Sequence, residues 1–141
     1  MDFTNFKIED NFSAIAVDGE HRDLHNNFIF RSLDYDISRR KLTLYWQRRN
    51  ESWVSSFDPE HLKLVFIAVS LLKVQERDAG APDSEDDCLA SLGFIGNELI
   101  EEVEGYAYRM PSKDSNHLNI CFMSGFSLKI AAEKASCVQA W

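Results

Sequence analysis

Residues 62–74 read LKLVFIAVSLLKV, and the fold follows from how this run is taken. In an extended chain Leu62, Leu64, Phe66 and Ala68 fall on one side while Val65, Ile67, Val69 and Leu71 fall on the other, so both faces are apolar. That is the pattern of an interior strand. A helix would be apolar all round, and the β-branched Val65, Ile67, Val69 and Val74 favour the strand. Thirteen residues exceed the usual strand of about 5–6, which places a bend or bulge near Ala68 to Ser70.

Upstream, Phe28–Tyr35 and Lys41–Arg48 form the clearest hairpin. Leu42, Leu44 and Trp46 alternate with Thr43, Tyr45 and Gln47, a strict period of two. In the first arm the apolar phase slips from Phe28 and Phe30 to Leu33 and Tyr35, which predicts a bulge near Arg31 or Ser32. Before it, Phe12, Ala14 and Ala16 lie on one face of a strand that ends at the Asp18-Gly19 turn. The polar stretch Glu20–Asn27 reads as a loop. His21 and His25 are spaced for one helical face, but no third metal ligand accompanies them.

Downstream, residues 75–87 are charged and carry no large side chain to bury, which marks a surface excursion. Ser84 with Asp87 three residues on approximates a capping box, so a short helix is expected with Cys88, Leu89 and Leu92 as its buried stripe. Cys88–Ile95 also fits a strand, and both readings stand. Leu99, Ile100 and Val103 match one helical turn, and Tyr106–Met110 alternates as a strand. His117–Met123 and Phe126–Ala132 flank Ser124-Gly125 as a tight hairpin. The tail from Ala131 to Trp141 suits strand or helix.

The expected fold is therefore α+β but predominantly antiparallel β. It is one domain over residues 1–141, a sandwich or partly closed barrel of about six to eight strands with one or two short helices. A domain of 141 residues buries roughly two-thirds of its unfolded surface, and 45% hydrophobic residues exclude disorder of the whole chain. No run approaches the length of a membrane span, and the N-terminus lacks a basic region followed by an apolar one. A cytoplasmic protein without a membrane partner is expected. Cys88, Cys121 and Cys137 are odd in number and widely spaced, so they suit small buried side chains better than a disulfide framework or a metal knuckle.

Charge is the only strong pointer to a role. Between Glu76 and Glu104 ten acids face one base, Arg77, for a local charge of −9 out of a total of −8. Such a surface repels nucleic acid and favours a basic protein partner. The acids Asp83, Glu85, Asp86, Asp87, Glu101, Glu102 and Glu104 are the candidate partner-binding residues. An EF-hand loop from Asp83 fails, because Cys88 and Phe94 stand where Gly and Glu are needed. No Gly-x-Ser-x-Gly elbow and no phosphate loop occurs, and Cys121 and His117 lie four apart along one strand face, out of each other's reach. No catalytic residue, metal ligand or cofactor is assigned.

The segment Ser84-Glu85-Asp86-Asp87-Cys88-Leu89-Ala90-Ser91-Leu92-Gly93-Phe94, with the strand before it, resembles a pattern in small bacterial proteins of uncharacterised function. The likeness covers about a quarter of the chain and transfers no activity. In character alone, acidic and β-rich without motifs, the chain is similar to immunity proteins that neutralise basic toxins. Two functions follow as expectations: a non-catalytic module that binds a basic protein, or a β-rich domain that holds or acts on a small apolar ligand between its sheets. Oligomeric state is left open.

Overall fold

The computed structural model describes residues 1–96 and 117–141. Three sheets wrap one hydrophobic core. The first has the order β1-β12-β7-β6-β5, from Asp2–Phe3 (β1), Lys134–Ala140 (β12), His61–Ile67 (β7), Lys41–Arg48 (β6) and Phe28–Asp36 (β5). The second has the order β8-β11-β10-β9, from Leu71–Gln75 (β8), Ser127–Ala131 (β11), His117–Phe122 (β10) and Leu89–Ile95 (β9). A small third sheet joins Phe6–Ile8 (β2), Ala14–Val17 (β3) and Glu20–Asp23 (β4). Pairing is antiparallel except between β1 and β12. No sheet closes on itself, so the architecture is sandwich-like and not a barrel.

The run at 62–74 is two strands in two sheets. β7 pairs with β12 from His61↔Ala140 to Ile67↔Lys134, and β8 pairs with β11 from Leu71↔Ala131 to Gln75↔Ser127. The two ladders are one antiparallel ribbon, bent where residues 68–70 oppose only Ala132 and Glu133. Ser70 N–H donates to Ala131 O at 2.9 Å and Glu133 N–H to Ile67 O at 3.1 Å, which carries the pairing across the bend. Ala68 takes the extra residue of this bulge with φ 55. The expected bend is where the sequence placed it. The doubly buried strand is not: Leu62, Leu64 and Phe66 are inside, while Ile67 is 44% exposed and Val65 half-buried. The bulge moves the inward phase to Val69, so both apolar rows are used in turn along the chain instead of on opposite faces.

The β5–β6 hairpin has its register shift between Phe30 and Ser32, leaving Arg31 as the extra residue. At β10–β11 the link is three residues long, because Phe122 N–H donates to Phe126 O at 2.9 Å. Gly125 completes that turn at φ 86. One open reading is decided and one expectation needs correction. Of the two readings of Cys88–Ile95 the strand is the one formed, since β9 finds its partner in β10. Glu20–Asp23 is a strand and not a loop, because its polar residues have tertiary partners: His21 Nδ1 meets Glu9 at 2.6 Å, and Arg22 Nε donates to Gln139 Oε1 at 2.8 Å. Among the described residues the only helical element is one 3-10 turn at Asp83–Glu85, with Pro82 at its N-cap and no side-chain cap. The α component and the Ser84 capping box are thus absent there. The helical turn near Leu99 and the strand at 106–110 lie outside the described residues.

An aromatic series runs through the core to the surface. Phe30 packs on Trp46 at 5.1 Å and on Phe122 at 4.6 Å, and Phe122 packs on Phe126 at 5.5 Å. Trp46 and Phe122 are buried, while Phe126 sits at the core margin.

Candidate functional site

Beyond β8 the chain leaves the sheet at Glu76 and returns at Leu89, and this excursion holds Asp83, Glu85, Asp86 and Asp87. It is docked on the β10–β11 turn. Asp78 N–H donates to Ser124 O at 2.7 Å, Ser124 N–H to Glu85 O at 3.3 Å, and Met123 N–H to Cys88 O at 2.8 Å. Gly125 is needed here, since a Cβ on it would stand 2.6 Å from the Asp78 carboxylate. Arg77, the one base of the segment, gathers the loop from inside: Nε donates to Asp86 Oδ1 at 2.7 Å, one terminal nitrogen donates to Ala81 O at 2.6 Å, and Asp83 lies 3.5 Å away.

These contacts sort the acids. The Arg77 guanidinium holds the Asp86 carboxyl below its ordinary range, and Asp86 in turn raises Arg77. Ser124 lowers Asp86 further, although its buried hydroxyl falls short of hydrogen-bond geometry with any partner. Asp86 is therefore an internal ligand of its own loop. Among the described residues Glu76 and Asp87 have no ion pair, and Asp83 has only the long contact from an exposed side chain.

An open groove of about 780 Å3 lies beside the excursion, lined by Phe30, Val74 and Phe126 below and by Glu76, Asp86 and Asp87 at its margin. Arg31 and Arg77 also reach it. Arg77 is occupied by Asp86, and Arg31 Nε donates to Gln47 Oε1 at 2.9 Å. The floor continues the aromatic series of the core. A mostly apolar floor edged by unpaired carboxylates suits a long side chain with an apolar stem and a cationic head.

The structure brings Asp86 and Asp87 to the groove, places Asp83 on exposed surface, and leaves Glu85 half-buried outside the lining. Glu101, Glu102 and Glu104 lie outside the described residues. Sequence reasoning missed Glu76, Phe30, Val74 and Phe126 as groove residues, because three chain segments build that floor. A signal for Arg77 did exist: a single base among many acids is placed to organise them.

Two other clusters have chemistry to weigh. Cys88 Sγ stands 3.7 Å from His25 Nδ1, a pair absent from the sequence reading. His25 Nδ1 also meets the Leu89 carbonyl, which can only accept, so this nitrogen carries the proton and cannot take one from the thiol. Burial pushes the Cys88 thiol up, and Asp87 and Glu85 add to this against Arg49. The pair is not arranged as an activated nucleophile. The second cluster is buried: Asp58 receives Arg22 at 3.5 Å and Asn27 Nδ2 at 3.0 Å, while Arg48 donates to the Ser56 and Asp58 carbonyls. Its donors are used in holding the loop at 49–60 to the β4 and β5 region. Among the described residues no group of three His, Cys, Asp or Glu side chains is placed to hold a metal, and no helix is long and apolar enough to cross a membrane.

Compared with protein-family models, curated proteins and solved structures, the chain finds no match in any of the three.

Proposed function

We propose that the protein is a non-catalytic binding module that takes a basic, partly apolar segment of a protein partner in the groove beside its acidic excursion. The observation that carries this reading is the pairing of an aromatic floor, Phe30 and Phe126, with the unpaired carboxylates of Glu76 and Asp87. The excursion from Glu76 to Asp87 holds six acids against Arg77, so a cationic partner is drawn to this side before contact. Neutralising a basic protein in the manner of an immunity protein is one role such a module serves. The alternative, a small apolar ligand held between the sheets, has less support. Among the described residues Phe28, Trp46, Phe66 and Phe122 fill the space between the sheets, and the groove of about 780 Å3 is at an open margin.

The test is a comparison of wild type with Glu76→Gln/Asp87→Asn, each immobilised and challenged with native-host extract and with a purified basic partner recovered from it. The double variant is expected to keep its melting temperature and to lose association rate, and the wild-type rate is expected to fall steeply with salt. Equal rates for the two proteins, or a rate insensitive to salt, refute the groove as the contact.

A further inference from the structure

The edge of β5 extends the groove. Arg48 N–H donates to Glu60 O, away from β5, and Phe30 N–H donates to Asp87 O, away from β6. These two bonds set the phase of the ladder on β5. Antiparallel pairs alternate between bonded and non-bonded, so beyond the bulge Ser32↔Tyr45 and Asp34↔Thr43 are bonded pairs, while Leu33↔Leu44 and Tyr35↔Leu42 are not. The N–H and C=O groups of Leu33 and Tyr35 therefore face outward from the sheet. β5 is the end strand of its sheet, and no partner of these backbone groups is found among the described residues. At Phe30 the edge is already satisfied by Asp87, so the excursion itself makes the first bond of a strand that goes no further.

The side chains along this edge are sorted by face. Leu33, 36% exposed, and Tyr35, packed at the core margin, lie on the inner side, across from the buried Leu44 and Leu42. Ser32, Asp34 and Asp36 lie on the outer side. Asp36 accepts from Ser38 Oγ at 2.9 Å and from Arg39 N–H at 3.1 Å, which fixes its carboxylate at the end of the row. Ile37, next along the chain, is 77% exposed.

We infer that β5 accepts an added strand: an extended segment of a protein partner, with basic and apolar residues alternating, pairs with Leu33 and Tyr35 and enters the groove at Phe30. This rests on the binding reading above and specifies its geometry. Main-chain bonds to the edge supply affinity. Apolar side chains of the segment cover Leu33 and Tyr35, and a basic side chain meets Asp34, since Asp36 is already held by Ser38 and by Arg39, whose Nε lies 3.7 Å from its Oδ2. At the groove end another basic side chain lies between Glu76 and Asp87, over the Phe30 and Phe126 floor. Charge complementarity and continuity with the groove select this occupant over an acidic segment, since Asp34, Glu76 and Asp87 outnumber Arg31, the one cation of the groove not held by a carboxylate among the described residues.

The probe is a short synthetic peptide alternating lysine and valine, compared with the same peptide N-methylated on the backbone at alternate residues and with a glycine-serine control. Binding is followed by amide chemical shifts and hydrogen exchange of the full chain. The parent peptide is expected to slow exchange at the Leu33 and Tyr35 amides, and N-methylation to weaken binding by about tenfold, the loss of one to two hydrogen bonds. A second variant, Leu33→Pro, removes an outward N–H that no described residue accepts and is expected to weaken the parent peptide similarly while keeping the chain folded. If both peptides bind equally, exchange at Leu33 and Tyr35 is unchanged, and Glu76→Gln/Asp87→Asn still weakens binding, strand addition is wrong and the groove stands. If the parent peptide binds no better than the control, both readings fall.

Discussion

Ala68 is the residue at which the ribbon of β7–β8 and β11–β12 bends from one sheet into the other, and replacing it tests that geometry directly. It holds φ 55, the left-handed region, without being glycine. For an L residue that conformation costs roughly 1–2 kcal/mol. Glycine escapes the strain but gives back about 0.5–1 kcal/mol through the greater freedom of its unfolded chain, so Ala68→Gly should gain about 0.5–1 kcal/mol. A β-branched residue is worse suited than alanine to positive φ, and Ala68→Val should lose about 2 kcal/mol. At about 3 °C per kcal/mol for a chain of this size, glycine raises the melting temperature by about 2 °C and valine lowers it by about 6 °C. Thermal melts by circular dichroism, repeated as urea titrations, separate the two variants by about 8 °C. A valine variant as stable as wild type would refute the reasoning, because Val65, Ile67 and Val69 could then run on as one regular strand with no left-handed corner.

Gly125→Ala faces the same φ penalty and also meets the Asp78 carboxylate, so it should cost about 1–2 kcal/mol; a melting temperature equal to that of wild type would show that the turn does not require glycine. For Asp86→Asn the sign follows from its lowered pKa: the Arg77 contact stabilises above the ordinary carboxylate range and is lost as pH falls through the depressed folded value. The melting temperatures of wild type and Asp86→Asn should differ at neutral pH and converge once the pH has fallen through that depressed value, and a difference that persists there removes Arg77 as its cause. Burial pushes the Cys137 thiol up to about 12, so at pH 8 a thiol reagent should leave it unmodified in the native protein and reach it only on unfolding. Rapid labelling of Cys137 in folded protein would contradict its place under the Asn5 carboxamide, which bonds its backbone at 2.8 and 2.9 Å.

Local patterns carried much of the fold. The β5–β6 hairpin was legible because Leu42, Leu44 and Trp46 alternate strictly, and its bulge because an apolar phase cannot slip without an extra residue. The bend at Ala68 was legible from length alone. What the sequence did not disclose was that the bend passes between sheets, since this depends on β11 and β12 bending at Ala132 and Glu133, far along the chain. Glu20–Asp23 was misread for a related reason: Arg22 is polar yet buried because Gln139 and Asp58 satisfy it, and neither is a neighbour in sequence. At the candidate site, charge identified the excursion, but only the fold distinguishes Asp86, used internally by Arg77, from Asp87, which has no ion pair among the described residues.

The bent ribbon also bears on the order in which the protein can be assembled. β11 lies between β8 and β10, and β12 between β7 and β1, so residues 127–140 fill interior places in both large sheets. During synthesis β5, β6, β7 and β8 emerge well before these strands, and the inward row of Leu62, Leu64 and Phe66 then has a neighbour on one side only. Neither sheet can be completed as an early unit, and the distant pairings that finish them make folding slow and late. Until then an apolar strand edge is open to other chains, so nascent or truncated forms are the ones that need protection from aggregation. Once residues 127–140 zip in, both sheets close together and are expected to melt together.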